Sequence, residues 1–268
     1  MTEGDRPLDE LPEDWERALA IVAHPDDLEY GGSAAIARWT GQGKHVAYLL
    51  ASKGEAGIDS MAPDECARVR TAEQRESAAV VGVTDVKFLD HPDGTIEYGL
   101  PLRRDLAVAI RRNRPELVIA VNHRETYGGT YLNMADHRVV GQATIDAVRD
   151  AANRWVFTDL RDDGLEPWGG VRYLAVVASP QPTHAVDVTR TFPAGVDSLR
   201  RHAAYLAGLG DPDPEAFLRQ SAEATPPVSA AGPPSRSSCW ASEPPSLNRR
   251  ARRPGPASPR AWSRGQRA

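Results

Sequence analysis

The chain has few of the features that define several common protein classes. It has only two cysteines, Cys66 and Cys239, which are far apart in the sequence and form no CxxC pair. This argues against a disulfide framework and a thiolate metal site, and it is typical of a reducing compartment. No apolar run approaches the ~18 residues of a membrane-spanning helix, so we expect no membrane span. The acidic N-terminus contains no apolar segment, so we expect no secretory signal and a cytoplasmic location.

Two further absences exclude classes of ligand. No GxGxxG or GxxxxGK[ST] stretch follows any apolar run, which disfavours a dinucleotide-binding or P-loop protein. The net charge is −5, but residues 225–268 contain eight Arg and a single acid, a local balance of about +7. The remainder therefore carries about −12. Binding of nucleic acid needs clustered Lys and Arg, so an acidic body predicts no nucleic-acid partner.

Apolar runs and amphipathic segments alternate along the chain. Strands are predicted at 17–23, 44–52, 85–90, 115–121, 172–178 and 184–189, and helices at 33–43, 63–82, 100–114, 135–152 and 192–209. Strands that alternate with helices of this length indicate βαβ units. We therefore predict an α/β fold of the Rossmann-like type, with a mainly parallel sheet and helices on both faces.

Composition divides the chain into three parts. Residues 1–16 form an acidic N-terminal extension, 17–224 a single folded domain, and 225–268 an Arg/Pro/Ser-rich tail. The tail cannot bury enough apolar surface to offset chain entropy, so we predict that it is disordered. It is either a native basic tail or the product of an out-of-frame gene end. A homo-oligomer is compatible with the sequence.

The stretch IVAHPDDLEYGG places His24, Asp26 and Asp27 directly after the first long apolar run. In an open α/β sheet, ligands bind beyond the carboxyl ends of the strands, where these residues would lie. His24 and Asp27 can reach one cation together, which leaves Asp26 free beside it. His and Asp are ligands that suit zinc. The alternative is a polar turn in which an Asp caps the next helix.

A third ligand is offered by His137 in YLNMADHRVVG, which follows the fourth predicted strand. Taken alone, a His early in a helix is more often a cap or a surface residue. Both clusters, however, fall at the carboxyl edge of the same predicted sheet. Three protein ligands plus a water molecule form the usual catalytic zinc site, so the pattern favours a metal centre.

The AHPDD motif after the first strand, the following GG and the later DHR motif together resemble the LmbE-like, or PIG-L, family of zinc-dependent de-N-acetylases. The resemblance runs from about residue 17 to about residue 210. It implies that His24, Asp27 and His137 bind Zn²⁺ and that Asp26 is the general base. The substrate would be a small N-acetylated amino-sugar conjugate of the N-acetylglucosaminyl type.

Two substrate contacts are also implied by the resemblance. Arg70 in RTAE lies in a helix similar to the Arg-containing helix of the family, and its alternative role is a salt bridge with Glu73 or a neighbour. Asp93 in HPDG corresponds to an Asp-Gly that follows the third strand in family members, where it would touch a sugar hydroxyl. The alternative for Asp93 is a plain turn.

The sequence departs from the family pattern at Met134, where many members have a second His. That His is thought to polarise the substrate carbonyl or protonate the leaving amine, and Met does neither. Groups that could take its place are His123, Tyr127, Tyr131, Asn133 and His184. The departure leaves a second interpretation open, a catalytically weak or inactive protein that binds metal or sugar. A metal-dependent phosphoester hydrolase is disfavoured, because carboxylates for a second metal are too few.

Locations or contacts are also predicted for four further residues. His91 and His202 are predicted to lie on the surface, and Glu29 and Glu55 are predicted to contact substrate hydroxyl groups.

Overall fold

The computed structural model describes residues 8–128, 131–223 and 237–242. Two sheets contain the strands, which are β1 (Asp9–Glu10), β2 (Arg17–Val22), β3 (His45–Leu50), β4 (Asp85–Phe88), β5 (Leu117–Val121), β6 (Thr126–Gly128), β7 (Tyr131–Leu132), β8 (Tyr173–Val177), β9 (His184–Asp187) and β10 (Ser237–Ser242). The large sheet has the order β1-β9-β10-β8-β5-β2-β3-β4, and β6 and β7 form a separate hairpin. This confirms the predicted α/β architecture.

The helices of the described residues are α1 (Ser33–Gly41), α2 (Pro63–Val80), α3 (Leu100–Asn113), α4 (Ala135–Ala152), α5 (Asp159–Asp162), α6 (Phe192–Arg200), α7 (Ala203–Gly208) and α8 (Pro214–Glu223). The first four match the predicted helices to within a few residues. The predicted helix at 192–209 is wrong as a single element, because the chain turns at His202 between α6 and α7.

Five parallel strands, β8, β5, β2, β3 and β4, form one side of the large sheet and include its β4 edge. Strand β2 pairs with β3 on one side and with β5 on the other, and Ala18 is in register with both Val46 and Leu117. The β5 residues are all buried, as are those of β2 after Arg17. Continuous burial requires helices on both faces, which is why these strands are apolar throughout rather than alternating.

The order of the strands creates a switch point between β2 and β5. From β2 the chain moves outward to β3 and β4, and it then returns to place β5 on the other side of β2. The loops that leave the carboxyl ends of β2 and β5 therefore diverge and leave a crevice between them. Crevices of this kind are where open α/β sheets bind ligands.

Residues 8–16, predicted as an extension, pack against the sheet. Leu11 and Trp15 are buried in the core, and the Trp15 ring lies edge-on to Trp39 with 5.2 Å between centroids. Strand β1 pairs with β9 in parallel. The domain boundaries stay predictions, but these residues contribute to the core that the sheet forms.

The segment 225–268, predicted to be disordered, contains one described strand. Strand β10 lies antiparallel between β8 and β9, where it pairs with the backbones of both. Strands β8 and β9, which are consecutive in sequence, are thereby kept apart. Backbone N–H and C=O groups of each strand form their hydrogen bonds with β10 instead. The remainder of that segment lies outside the described residues.

Helices long and apolar enough to cross a bilayer are absent from the described parts of the chain.

Candidate metal centre at the switch point

The loop after β2 is held in shape by Asp27. Its Oδ2 atom accepts hydrogen bonds from the backbone N–H groups of Ala23 (2.8 Å) and His24 (3.0 Å). Its other oxygen, Oδ1, is left to face His24 and His137. The turn forces Asp26 into a positive φ of 91°. A non-glycine residue in that region costs of order 1–3 kcal/mol and persists only where its surroundings hold it.

Helix α4 brings His137 to the same crevice. The helix begins at Ala135, so His137 lies in its first turn, close to the end of β5. Gly141, one turn further on, allows the helix to pack directly on β5, since a Cβ atom there would lie 2.5 Å from the Val121 carbonyl oxygen. The close approach of α4 to β5 sets the position of His137.

Three of the predicted site residues converge. His137 Nε2 lies 2.9 Å from Asp27 Oδ1 and 3.2 Å from His24 Nδ1, and His24 Nδ1 lies 3.7 Å from Asp27 Oδ1. One ligand atom from each residue falls within 4.8 Å of the others. His24 and His137 are buried. Two imidazoles and one carboxylate form a donor set that suits zinc, so these residues fit the ion that the sequence predicts.

Each histidine is held from behind by its second ring nitrogen. His24 Nε2 lies 3.1 Å from Asp136 Oδ2 and 3.0 Å from Asp93 Oδ1. His137 Nδ1 lies 2.5 Å from the Tyr127 hydroxyl and 3.0 Å from Asn133 Oδ1. Such partners fix the orientation of a metal-binding imidazole and leave the opposite nitrogen free for the ion.

A second group of potential ligands, His24, Asp93 and Asp136, lies on the far side of the His24 ring. The Asp136 carboxylate already accepts backbone hydrogen bonds from Gly94 N (2.7 Å) and Ile96 N (3.1 Å). Asp93 Oδ2 accepts one from Ala56 N (2.8 Å). Both oxygens of Asp136 thus already accept a backbone N–H, unlike those of Asp27, so this group is better suited to orienting His24.

The pKa values of His24 and Asp27 are set mainly by the charged partners that each residue contacts. Burial lowers the pKa of His24, but the hydrogen bonds to Asp136, Asp27 and Asp93 outweigh it and raise that pKa to about 12. Burial raises the pKa of Asp27, and the charges and hydrogen bonds of His137 and His24 more than reverse this, so that it falls well below its ordinary value. A carboxylate that stays ionised is a suitable cation ligand.

Asp26 lies beside this cluster, and its carboxylate contacts Arg70. Burial raises its pKa to about 6, against the opposing charge of Arg70. Arg70 Nη2 is 3.2 Å from Asp26 Oδ1, and it also donates to the Pro25 carbonyl oxygen at 2.6 Å. A carboxyl group whose pKa lies near neutrality can both accept and return a proton.

The structure places the remaining predicted residues as follows. Arg70 is buried against Asp26, so the salt bridge that was its alternative role is formed, although with Asp26 rather than with Glu73. Asp93 contacts His24, and its backbone N–H donates to Glu55 Oε1 at 2.9 Å. Met134 is 53% exposed at the N-terminus of α4. The substrate contacts of Arg70 and Asp93 stay predictions.

Two provisional assignments are corrected. His202 is fully buried, not on the surface, and its Nε2 lies 3.8 Å from Glu29 Oε1. Glu29 is also buried, and it accepts hydrogen bonds from Gln74 Nε2 (2.9 Å) and Ser77 Oγ (2.6 Å) rather than facing the crevice. Both side chains can be buried because the acid and the imidazole compensate each other's loss of hydration.

Sequence reasoning missed two residues of the site. Asp136 stands next to His137 in the DHR motif, and that adjacency was the available signal for it. Gln74 accepts a hydrogen bond from the Asp26 backbone N–H at 2.9 Å. Gln74 lies four residues after Arg70 on α2, and that spacing places both on one helical face. Neither signal is specific without the tertiary contacts.

The fold and the site together define a doubly wound α/β protein with a candidate divalent-metal centre at its switch point. Residues 19–148 match the family model described as PIG-L: GlcNAc-PI de-N-acetylase. The chain is also 34% identical over 235 residues to the 1D-myo-inositol 2-acetamido-2-deoxy-alpha-D-glucopyranoside deacetylase of Actinosynnema mirum, and the match covers 71% of this chain and 81% of the relative. The chain therefore belongs to the PIG-L family.

Other relatives agree with this membership. The diacetylchitobiose deacetylase of Thermococcus kodakarensis is 29% identical over 212 residues, which cover 77% of this chain and 76% of the relative. The solved structure of the N,N'-diacetylchitobiose deacetylase from Pyrococcus horikoshii, in complex with an inhibitor, superposes with a TM-score of 0.76 at 25% identity. That superposition covers 87% of this chain and 85% of the other.

Proposed function

We propose that this protein is a zinc-dependent deacetylase that hydrolyses the N-acetyl group of an N-acetylglucosamine-type sugar conjugate. The observation that carries the proposal is the convergence of His24, Asp27 and His137, with Asp26 free beside them. The relatives named as deacetylases of acetylated amino sugars support the substrate class.

In this proposal His24 Nδ1, His137 Nε2 and Asp27 Oδ1 hold the zinc ion. A bound zinc ion would lower the pKa of a water molecule to roughly 7 and polarise a carbonyl oxygen. The chain supplies the orientation: Asp136 and Asp93 hold the outer nitrogen of His24, and Asn133 and Tyr127 hold that of His137.

Asp26 is the proposed general base. Its side chain diverges from that of Asp27, because neighbouring residues in this turn point to different sides. It accepts the proton of the attacking water and later returns a proton to the leaving amine, for which a pKa near neutrality is suitable. Arg70 keeps the carboxylate in place and limits the rise of its pKa.

Met134 favours one alternative, a family member that binds metal and sugar but turns over weakly or not at all. Its thioether cannot donate a proton. Of the residues that could take the place of the second His, Tyr127 and Asn133 touch His137, and both do so at Nδ1. Those contacts orient the imidazole and do not themselves supply a donor to a substrate carbonyl.

The test is amine release from N-acetylglucosamine conjugates by the zinc-loaded protein, with the metal content measured on the same samples. The proposal predicts turnover by the unaltered chain, loss of zinc in His137→Ala, and loss of turnover with retained zinc in Asp26→Ala. His45→Ala is the matched control, since His45 is exposed at the start of β3, at the opposite end of the strands from the cluster. Zinc without turnover in the unaltered chain would favour the alternative, and full zinc content in His137→Ala would remove the metal site.

A further inference from the structure

The general base of the proposed reaction has a strained backbone conformation, which the turn after β2 imposes. Asp26 has a φ of 91°, and it has no glycine-like freedom to adopt that value. Its carboxylate is 6% exposed. A base in such a conformation keeps its direction only if neighbouring groups hold both its backbone and its side chain.

Gln74 is the side chain that holds the backbone. Its Oε1 atom accepts the Asp26 N–H at 2.9 Å, while its Nε2 atom donates to Glu29 Oε1 at 2.9 Å. Gln74 is 1% exposed, so both bonds are shielded from water. Each end of the amide has one partner of the right kind, which fixes which way the amide faces.

The far end of this chain of bonds is anchored in the core. Glu29 Oε1 also accepts from Ser77 Oγ at 2.6 Å, and Ser77 Oγ lies 2.7 Å from Ser198 Oγ of α6. His202, at the turn between α6 and α7, lies 3.8 Å from the same Glu29 oxygen. Glu29 therefore cannot move toward the crevice, and Gln74 cannot rotate without breaking a buried bond.

A second set of contacts holds the carboxylate. Arg70 is fixed by the carbonyl oxygens of Pro25 (2.6 Å) and Gly54 (3.2 Å), and its guanidinium stacks on the Tyr205 ring at 4.2 Å. Arg70 and Gln74 lie one turn apart on α2. One face of α2 therefore holds Asp26 at two points: Arg70 contacts its carboxylate, and Gln74 accepts a hydrogen bond from its backbone N–H.

Resting on the proposed function, we infer that Gln74 is a positioning residue for catalysis: its bond to the Asp26 amide, anchored through Glu29, aims the Asp26 carboxylate at the attacking water. Gln74 touches neither the ion's ligands nor the open crevice through any contact described. Its loss should therefore change the rate of the chemical step and not the binding of metal or substrate. Misplacement of a catalytic group by about 1 Å costs on the order of 100-fold in rate.

The experiment compares Gln74→Met with the unaltered zinc-loaded enzyme on an N-acetylglucosamine conjugate. Met has a similar length but cannot bond the Asp26 amide. We expect kcat to fall about 10- to 100-fold while KM and zinc content stay within about 3-fold. Thr71→Val is the matched control on α2, because the Thr71 hydroxyl bonds only carbonyl oxygens of its own helix.

The exchanged double variant Gln74→Glu/Glu29→Gln provides the rescue, since the carboxylate at 74 can accept both the Asp26 N–H and the side-chain amide of residue 29. Its kcat should lie closer to that of the unaltered enzyme than the kcat of Gln74→Met. If Gln74→Met does not fold, Gln74→Asn takes its place, because the shorter amide cannot span Asp26 and Glu29 together. Equal kcat values for the double variant and the shortened or apolar variant would overturn the inference, as would a fall in zinc content that matches the fall in kcat.

Asp26→Ala, measured in parallel, separates this inference from the proposed function. An active Asp26→Ala enzyme would remove Asp26 as the base, and the role of Gln74 would fall with it. An inactive Asp26→Ala enzyme together with a nearly full-rate Gln74→Met enzyme would overturn the positioning role alone.

Discussion

Asp136 and His24 lie 112 positions apart in the chain, yet Asp136 Oδ2 is 3.1 Å from His24 Nε2. The same carboxylate accepts the backbone N–H groups of Gly94 and Ile96, so it ties the loop after β4 to the loop after β2. Asp136, in the first turn of α4, thereby orients His24, the proposed metal ligand in the loop after β2.

This contact predicts the effect of Asp136→Asn. The amide keeps the shape of the side chain but removes the negative charge that favours a proton on His24 Nε2 and leaves Nδ1 to the ion. We expect zinc affinity to fall about 10- to 100-fold, measured by competition with a chelator. Asp146→Asn is the control, because Asp146 lies on the same helix and bonds Tyr98 at the exposed surface. Unchanged affinity in Asp136→Asn would contradict the orienting role.

Gly141 tests the packing that delivers His137. An Ala at this position places its Cβ 2.5 Å from the Val121 carbonyl oxygen and 2.9 Å from His123 Cβ. Although Ala favours a helix over Gly by about 1 kcal/mol, overpacking costs about 1–3 kcal/mol, so we expect Gly141→Ala to lower the free energy of unfolding. Urea denaturation measures this. Gly41→Ala, in α1 with open space around the new Cβ, should be neutral or stabilising.

Met134 provides a gain-of-function prediction. Residue 134 is the N-cap of α4, three positions before His137. An imidazole there would add a proton donor beside the position of the ion. We expect Met134→His to raise kcat at least about 10-fold, while Met134→Leu leaves it unchanged. An unchanged rate in Met134→His would show that the chain has another way to serve the leaving amine.

Glu13 gives a prediction about pH that does not involve the metal. Burial raises its pKa, but hydrogen bonds from Arg38, Gln42 and Trp39 outweigh burial and hold the pKa below its ordinary value. A lowered folded-state pKa adds stability above the unfolded-state pKa, and this stability is lost as the pH falls through the folded-state value. We expect Glu13→Gln to cost about 1–2 kcal/mol near pH 7.

The cost should shrink as the pH falls below 4.5, the ordinary pKa of Glu, toward the lowered folded-state pKa at which Glu13 becomes protonated in the unaltered chain as well. Urea unfolding of both proteins across this pH range measures the difference. Glu97→Gln, at an exposed position, is the control and should show little change at any pH. A cost that stays constant as the pH falls would mean that the charge of Glu13 does not contribute.

Much of the fold could be predicted because its signals are local. The apolar runs of β2 and β5 and the helical periodicity of α2 and α4 are visible in short windows of sequence. The short strand β1 and the helix α8 were missed because their few apolar residues show no clear period. The turn at His202 was missed for a different reason, since the helical pattern continues through it, whereas His202 is buried beside Glu29 in the folded chain.

The candidate site divides in the same way. The sequence alone determined the α/β pattern and the positions of the chemical groups in it. Two carboxylates and an imidazole follow one strand directly, and a second imidazole follows another strand. Parallel strands bring such loops to one edge of the sheet. Only the tertiary structure decided which partner each side chain meets: Arg70 meets Asp26, Asp136 meets His24, and Gln74 meets the Asp26 amide. These pairings depend on how α2 and α4 dock on the sheet, and docking is set by packing between residues far apart in the chain rather than by any local pattern.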